Sequence, residues 1–350
     1  MIIQGIDLFC GAGGLTYGLN SVGIQVTHGI DIDPACKFPI EFNNKGTTFV
    51  ERSINNISGQ EIASFFNKDS VRLIAGCAPC QPFSKYSSSA KKSEDDQKWA
   101  LLSEFGRIVR EVKPELVTME NVPQLRNHII FKEFVKTLKD IGYNVCFDVV
   151  NCSDYGLPQN RKRLILIGSL LGDISLISKT HSKGKRNTVY KAIGNLPPIA
   201  AGEKNDKDIL HRAPSLSEIN MKRIKASVAG GTWKDWPEEL LADCHRKSSG
   251  STYISVYGRM SWHLTSPTIT TQCYGYGNGR FGHPEQNRAI TLREAAILQS
   301  FPKKYRFIDK KTPFSFRKLG TMIGNAVPVV IGEVIGHSFI KHIESLSILD

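Results

Sequence analysis

Short apolar, β-branched runs alternate with helix-like segments through the first half of the chain, and this rhythm restricts the fold more than any other feature. Ile2–Phe9 reads as a buried strand, followed by the glycine cluster Gly11-Ala12-Gly13-Gly14 and a short helix. Val26–Ile30 reads as a second strand, ending at Asp31-Ile32-Asp33-Pro34. Phe49–Ile54 is a weaker third, and Val71–Ala75, Leu116–Met119, Val145–Val150 and Leu164–Gly168 follow. Glu61–Asn67, Leu101–Val112 and Phe131–Ile141 have helical spacing between them. Strands separated by helices need crossovers, and crossovers give a mostly parallel sheet covered on both faces. The expected fold class is therefore α/β, a doubly wound, Rossmann-like domain.

After about Leu171 the texture changes. The stretch to Gly282 is polar, basic and rich in Gly, Pro and Ser, with no strand–helix rhythm. A chain of 350 residues has room for such a second, smaller, irregular domain. A helix at Leu292–Gln299, stopped by Phe301-Pro302, and a turn and helix within Gly324–Ile343 close the sequence. Ser84–Trp99 is polar and nearly free of aliphatic residues, which predicts a mobile lid rather than packed structure. No stretch comes near the ~18 apolar residues that a spanning helix needs. Met1-Ile2-Ile3-Gln4-Gly5-Ile6 lacks the pattern of a secretory signal. The expectation is a cytoplasmic protein.

Charge narrows the partners. The net charge is +12, and Lys179–Lys234 alone holds twelve Lys/Arg against four Asp/Glu. Such a concentration suits contact with nucleic-acid phosphate. The eight cysteines are scattered, so a disulfide framework is not expected. Only Cys77 and Cys80 form a C-x-x-C pair; tetrahedral zinc would want a second pair, so no metal is expected.

Candidate chemistry gathers at strand ends. Asp7-Leu8-Phe9-Cys10-Gly11-Ala12-Gly13-Gly14 has the form of a turn that lets backbone amides approach a nucleotide, with Asp31 placed for a ribose hydroxyl. The G-x-G-x-x-G fingerprint is incomplete, because position 16 is Thr, and this weakens a dehydrogenase reading. Cys80, in Gly76-Cys77-Ala78-Pro79-Cys80-Gln81-Pro82-Phe83-Ser84, leaves the fourth strand, and Glu120-Asn121-Val122-Pro123 ends the fifth. A cysteine and an acid at one sheet edge suggest a nucleophile with a proton-handling partner. Arg161 and Arg163 precede the last strand of the set on one face, with Lys162 on the other. Ser251–His283 combines Arg259 and Arg280 with Gly-rich turns, which makes these two arginines candidate readers of guanine in a major groove, with bracing of the smaller domain as the equally weighted alternative.

Taken in order, DLFCGAGG, the acid at Asp31, PCQPFS, ENV, QNRKR, the ITLREAAILQSFP stretch from Ile290 to Pro302, and GNAVP from Gly324 to Pro328 resemble the motif set of the DNA (cytosine-5) methyltransferases of restriction-modification type. The match skips Leu171–Gly282, where that family carries its variable target-recognition region. The resemblance implies S-adenosylmethionine as methyl donor, S-adenosylhomocysteine as product, and double-stranded DNA as partner. It implies a base flipped out of the helix and a chain acting as a monomer, with any cognate restriction endonuclease acting separately. It also implies a catalytic and cofactor-binding domain at 1–172 with 312–350, a target-recognition domain at 173–290, and a connecting segment at 291–311.

Residue by residue, Cys80 resembles the nucleophile that adds to cytosine C6, and Glu120 the acid that binds N3 and the exocyclic amine. Arg163 resembles the arginine that holds the base O2, and Arg161 the one that supports the catalytic loop. Asp7, Phe9, Gly11, Ala12 and Gly14 resemble the cofactor loop. Asp31 resembles the ribose acid, and Ile32 and Ile54 the residues that pack on adenine. Pro79, Leu101, Asn325 and Ala326 match further cofactor contacts, and Gln81 and Ser84 lie on the loop that meets DNA. One departure stands out: Ser53-Ile54 replaces the family's usual Asp-Ile pair. The tRNA-acting branch of the same fold shares PCQPF- and ENV-type motifs. The basic insert of over a hundred residues favours duplex reading instead.

Overall fold

The computed structural model describes residues 2–79, 92–247, 250 and 252–346, with backbone alone for 92–99. At its centre lie β1 (Ile2–Leu8), β2 (Gln25–Asp31), β3 (Thr48–Glu51), β4 (Ser70–Gly76), β5 (Leu116–Asn121), β6 (Asn144–Asn151) and β7 (Lys162–Ser169). They form one sheet in the order β3-β2-β1-β4-β5-β7-β6. The chain winds outward from β1 to β3, then returns to the other flank of β1 for β4 and β5, all in parallel. That reversal opens a crevice beyond the carboxyl ends of β1 and β4, the place where such sheets bind ligands.

The strand β7 runs antiparallel to both its neighbours. Its beginning therefore lies at the edge where β1, β4 and β5 end. Arg161 and Arg163, just before and at that beginning, reach the crevice for this reason. A parallel β7 would have carried them to the opposite edge.

The helices are α1 (Gly14–Ser21), α2 (Lys37–Asn43), α3 (Gly59–Ser64), α4 (Lys92–Val112), α5 (Ile129–Ile141), α6 (Val189–Ile193), α7 (Glu218–Ala226), α8 (Asp243–Arg246), α9 (Leu292–Leu298), α10 (Phe316–Asn325) and α11 (Val329–Leu346). Strand alternation divides the sheet's apolar residues between two cores. Val117, Met119, Leu164 and Leu166 face α4 and α5, where Phe105, Phe131 and Phe134 are buried. Leu116, Ile165 and Ile167 face α1 and α11. Helices α1 and α11 touch backbone to backbone: a Cβ on Gly18 would lie 2.3 Å from the Val329 carbonyl oxygen. The end of the chain is thereby locked to its first helix.

Two expectations need correction. The connection expected at Ser84–Trp99 is shorter, because α4 begins at Lys92; residues 80–91 lie outside the described residues. The stretch Phe316–Leu346 contains an 18-residue window of mean hydropathy 1.5, enough by length and composition to cross a membrane, and 72% of that window is buried inside the protein. Its apolarity serves the contact with α1 and the sheet.

Between the sheet and α9 the chain forms a small antiparallel hairpin of β8 (Lys204–Asn205) and β9 (Asp208–Arg212), short helices and long loops. Trp233, Trp236, Ile224 and Tyr276 make one small core. Val189, Leu210, Met260 and Phe281 join α9, Tyr305 and Phe307 in a larger one, which also takes in Ala12 and Ile323. Every residue of α9 is buried, so this helix lies inside the core, while Lys303, Lys304, Lys310 and Lys311 after it are exposed. Arg288 and Glu294, both fully buried, form a two-pronged ion pair at 2.7 and 2.8 Å that fixes the start of α9.

Candidate active site

The crevice is a cavity of about 780 Å³ at the carboxyl edge of the sheet. That volume suits a small-molecule ligand of nucleotide size. Its first wall comes from the bend after β1. Phe9 there has φ 61°, a left-handed backbone that a bulky residue rarely adopts, and Gly11 and Gly13 follow with φ 50° and 82°. Tyr305 fixes the bend by donating its hydroxyl to the Ala12 carbonyl at 2.5 Å. The turn leaves Phe9, Gly11 and Ala12 on the cavity wall.

Asp31, at the end of β2, also lines the cavity. Its two oxygens accept from the backbone amides of Gly11 at 2.9 Å and Asp33 at 3.0 Å. A carboxylate has about four acceptor positions, so capacity remains for ligand hydroxyls. Burial raises the carboxyl above its usual range, while these amides pull it back. Asp7 lies deeper, 1% exposed, and accepts from the Thr16 hydroxyl at 2.6 Å. Burial pushes its carboxyl up to about 7, against the Thr16 hydrogen bond and with help from Asp31.

Apolar side chains complete this half of the cavity: Ile32, 69% exposed on a wall it would otherwise have no reason to occupy, with Ile54, Pro79 and Leu101. Ser53 lines it too, and its hydroxyl accepts from the Asn55 amide at 3.3 Å, capping a one-turn 3-10 helix. Asn325 and Ala326 close the far side. An acceptor such as Asp31 beside apolar side chains suits a ligand with hydroxyls and an apolar ring.

The second half of the cavity is built on β5 and β7. Glu120 is 2% exposed. Arg163 Nε lies 2.8 Å from Glu120 Oε1, but its N–H is not aimed at that oxygen, so among the described residues Oε1 has an ionic neighbour and no hydrogen bond. Oε2 accepts from the Cys77 thiol at 3.0 Å. Asn121 donates to the Ala78 carbonyl at 2.9 Å, tying the end of β5 to the loop that leads toward Cys80. Arg161 is 2% exposed and donates to the carbonyls of Ile269 at 3.0 Å, Gly324 at 3.3 Å and Ala326 at 3.5 Å. Burial lowers Arg161 to about 9, and Arg163 beside it acts in the same direction.

The structure thus brings Glu120, Arg161 and Arg163 into one cavity with Asp7, Phe9, Gly11, Ala12, Asp31, Ile32, Ile54, Pro79, Leu101, Asn325 and Ala326. Cys80, Gln81 and Ser84 lie outside the described residues. Gly14 is off the cavity wall. A Cβ there would sit 2.1 Å from the Val327 carbonyl oxygen, so packing requires its smallness.

Arg259 does not stand as a base reader. It is 4% exposed, and its terminal nitrogens donate to the carbonyls of His283, Gln286 and Ile224 and to Asn287 Oδ1. Arg280 is half-buried, with its Nε shielded from solvent and without a hydrogen bond among the described residues.

Sequence reasoning missed Cys77 as a contact of Glu120, weighing it only as half of a C-x-x-C pair. It missed Tyr305, for which an isolated tyrosine gives no signal. It also missed Arg317, Lys318, Thr321 and Met322 of α10, which line the cavity rim.

The sequence matches the family described as C-5 cytosine-specific DNA methylase over residues 3–341. It is 49% identical to the type II methylase M.HgiDII of Herpetosiphon aurantiacus, covering 97% of this chain and 96% of that protein. It is 31% identical to the type II methyltransferase M1.HphI of Haemophilus parahaemolyticus, covering 97% and 87%. Among solved structures, a protein assigned as a DNA modification methyltransferase of an E. coli prophage superimposes with a TM-score of 0.74 at 24% identity, over 98% of this chain and 99% of that one. The Dnmt2 methyltransferase of S. pombe does so with a TM-score of 0.59 at 17% identity, over the same shares, and both likenesses speak for the fold alone. With the Rossmann-like sheet and these relatives together, the chain belongs to the C-5 cytosine-specific DNA methylase family and is a DNA (cytosine-5-)-methyltransferase of the type II restriction-modification kind.

Proposed function

We propose that the protein transfers a methyl group from S-adenosylmethionine to C5 of a cytosine turned out of a specific duplex DNA sequence, through a covalent bond between Cys80 and C6. The observation that carries this reading is Glu120 Oε1: a buried carboxylate oxygen without a hydrogen bond among the described residues, beside Arg163, in the same cavity as the Asp31 cradle. A buried polar atom left unsatisfied is costly and points to a ligand that completes it.

When bound, S-adenosylmethionine supplies an electrophilic methyl group. In this reading Asp31 accepts from the ribose hydroxyls, and Ile32 and Ile54 cover the adenine. Cytosine C5 is a poor nucleophile. Thiolate addition of Cys80 at C6, with Glu120 hydrogen-bonding or protonating N3, makes C5 enamine-like and able to take the methyl. Arg163 holds the base O2 and offsets charge that builds on the ring. Arg161 braces the start of β7 against Gly324–Ala326, keeping base and cofactor walls in register. Loss of the C5 proton and expulsion of Cys80 restore the aromatic base. Turning the base out costs a few kcal/mol and is recovered in contacts of this kind.

Transfer of labelled methyl to DNA and to tRNA, measured side by side, tests the substrate; methylation of tRNA alone would reject the DNA reading. Duplexes carrying 5-fluorocytosine at the target should trap a covalent complex that Cys80→Ser abolishes. Glu120→Gln keeps one hydrogen bond but cannot supply a proton, so kcat should fall roughly 10²–10⁴-fold with DNA affinity little changed. An unchanged single-turnover rate would remove Glu120 from the chemistry.

A further inference from the structure

We propose that Cys77 is a positioning residue for the reaction: its thiol ties Glu120 Oε2 and so leaves Oε1 as the atom that meets the cytosine. The inference deepens the function proposed above and rests on it. Topology makes the contact. Strands β4 and β5 are parallel neighbours with Gly76 opposite Met119. Continuing that register by one residue sets Cys77 beside Glu120, and the thiol lies 3.0 Å from Oε2. The two oxygens are thereby made unequal. Oε2 has a donor from the protein, whereas among the described residues Oε1 has the ionic neighbour Arg163 and no hydrogen bond.

The geometry gives the thiol a definite task. A carboxylate with two equivalent free oxygens can rotate about its terminal bond, and only some rotamers aim an oxygen at the base. A donor on one oxygen removes that freedom before the substrate arrives, which is the preorganisation catalysis requires. Cys77 and Glu120 both line the cavity, so the pair lies at the reacting end and not in the sheet interior.

The test compares Cys77→Ala, Cys77→Val and Cys77→Ser in the full chain by single-turnover methyl transfer to duplex DNA, with separate titrations of S-adenosylhomocysteine and DNA. Ala and Val remove the donor, and Val keeps the volume. Both should slow transfer by roughly 10-fold, the weight of a modest hydrogen bond to a charged group. Affinities for cofactor product and DNA should stay within a factor of about two of wild type, since neither depends on the bond. Ser restores a donor and should recover most of the rate. Wild-type rates in both Ala and Val, or a Ser variant as slow as Ala, would overturn the proposal. So would a loss that tracks weaker DNA binding. A wild-type protein that transfers no methyl to DNA would instead overturn the function on which the inference rests.

Discussion

Replacing Arg259 separates bracing from base reading. Its guanidinium satisfies four acceptors: the carbonyls of His283 at 2.9 Å, Gln286 at 3.0 Å and Ile224 at 2.5 Å, and Asn287 Oδ1 at 2.8 Å. These acceptors belong to α7 and to the loop before α9, so one side chain holds two segments together. In Arg259→Ala they lose their donor in a region where water reaches few of them. A buried acceptor left without its donor costs about 1–3 kcal/mol, and for this set a total of about 3–5 kcal/mol is expected. Unfolding entropy of ~2.1 cal/mol/K per residue gives the whole chain ~0.7 kcal/mol/K, so the melting temperature should fall by roughly 4–7 °C. Arg259→Lys keeps the charge but not the fork, and should recover less than half of that loss. Calorimetry supplies the melting temperatures, and competition binding with cognate and scrambled duplexes supplies the second axis. Both duplexes should lose affinity together. An unchanged melting temperature, with loss confined to the cognate duplex, would refute the bracing argument.

Arg280 is the remaining candidate reader from the same segment: Arg280→Ala should cost about 1–3 kcal/mol on the cognate duplex alone, and equal losses on cognate and scrambled DNA would reject it. Lys183 and Lys185 are exposed on a one-turn helix, whereas Arg186 is engaged with Asp154. Replacing the two lysines with Ala should reduce the salt slope of DNA binding by up to ~2; an identical slope would remove them from the phosphate contacts. Asp7 predicts a pH effect. The unfolded chain loses this proton near the ordinary carboxyl value of 3.8, while burial keeps it on the folded protein to about 7. The unfolded state therefore binds fewer protons across that window, and the carboxyl lowers stability as pH rises through it, levelling off above. Asp7→Asn should melt higher than wild type at pH 8, with the advantage shrinking toward pH 5; a difference independent of pH would contradict it.

Local physics made much of the first half legible. The runs at Leu73–Ala75 and Leu164–Ile167 are strands because they are apolar on both faces, and both faces are in fact covered. Phe9, Gly11, Asp31 and Glu120 could be placed at one sheet edge because parallel strands put all their carboxyl ends on the same side. What one dimension could not contain was direction and distance. That β7 runs antiparallel, carrying Arg161 and Arg163 to the edge where Glu120 lies, depends on which strand it pairs with. The Cys77–Glu120 contact depends on the register of two strands forty residues apart in sequence, by the same rule. Arg259 shows the limit most clearly. In the sequence it is a cation among glycines, and its charge suggests DNA. In the folded chain Ile224, His283, Gln286 and Asn287 surround it, and a guanidinium enclosed by acceptors serves the protein itself. The sequence by itself determined which groups could do chemistry; the tertiary structure decided which of them face the cavity, because burial and pairing are properties of the packed chain and not of the residue.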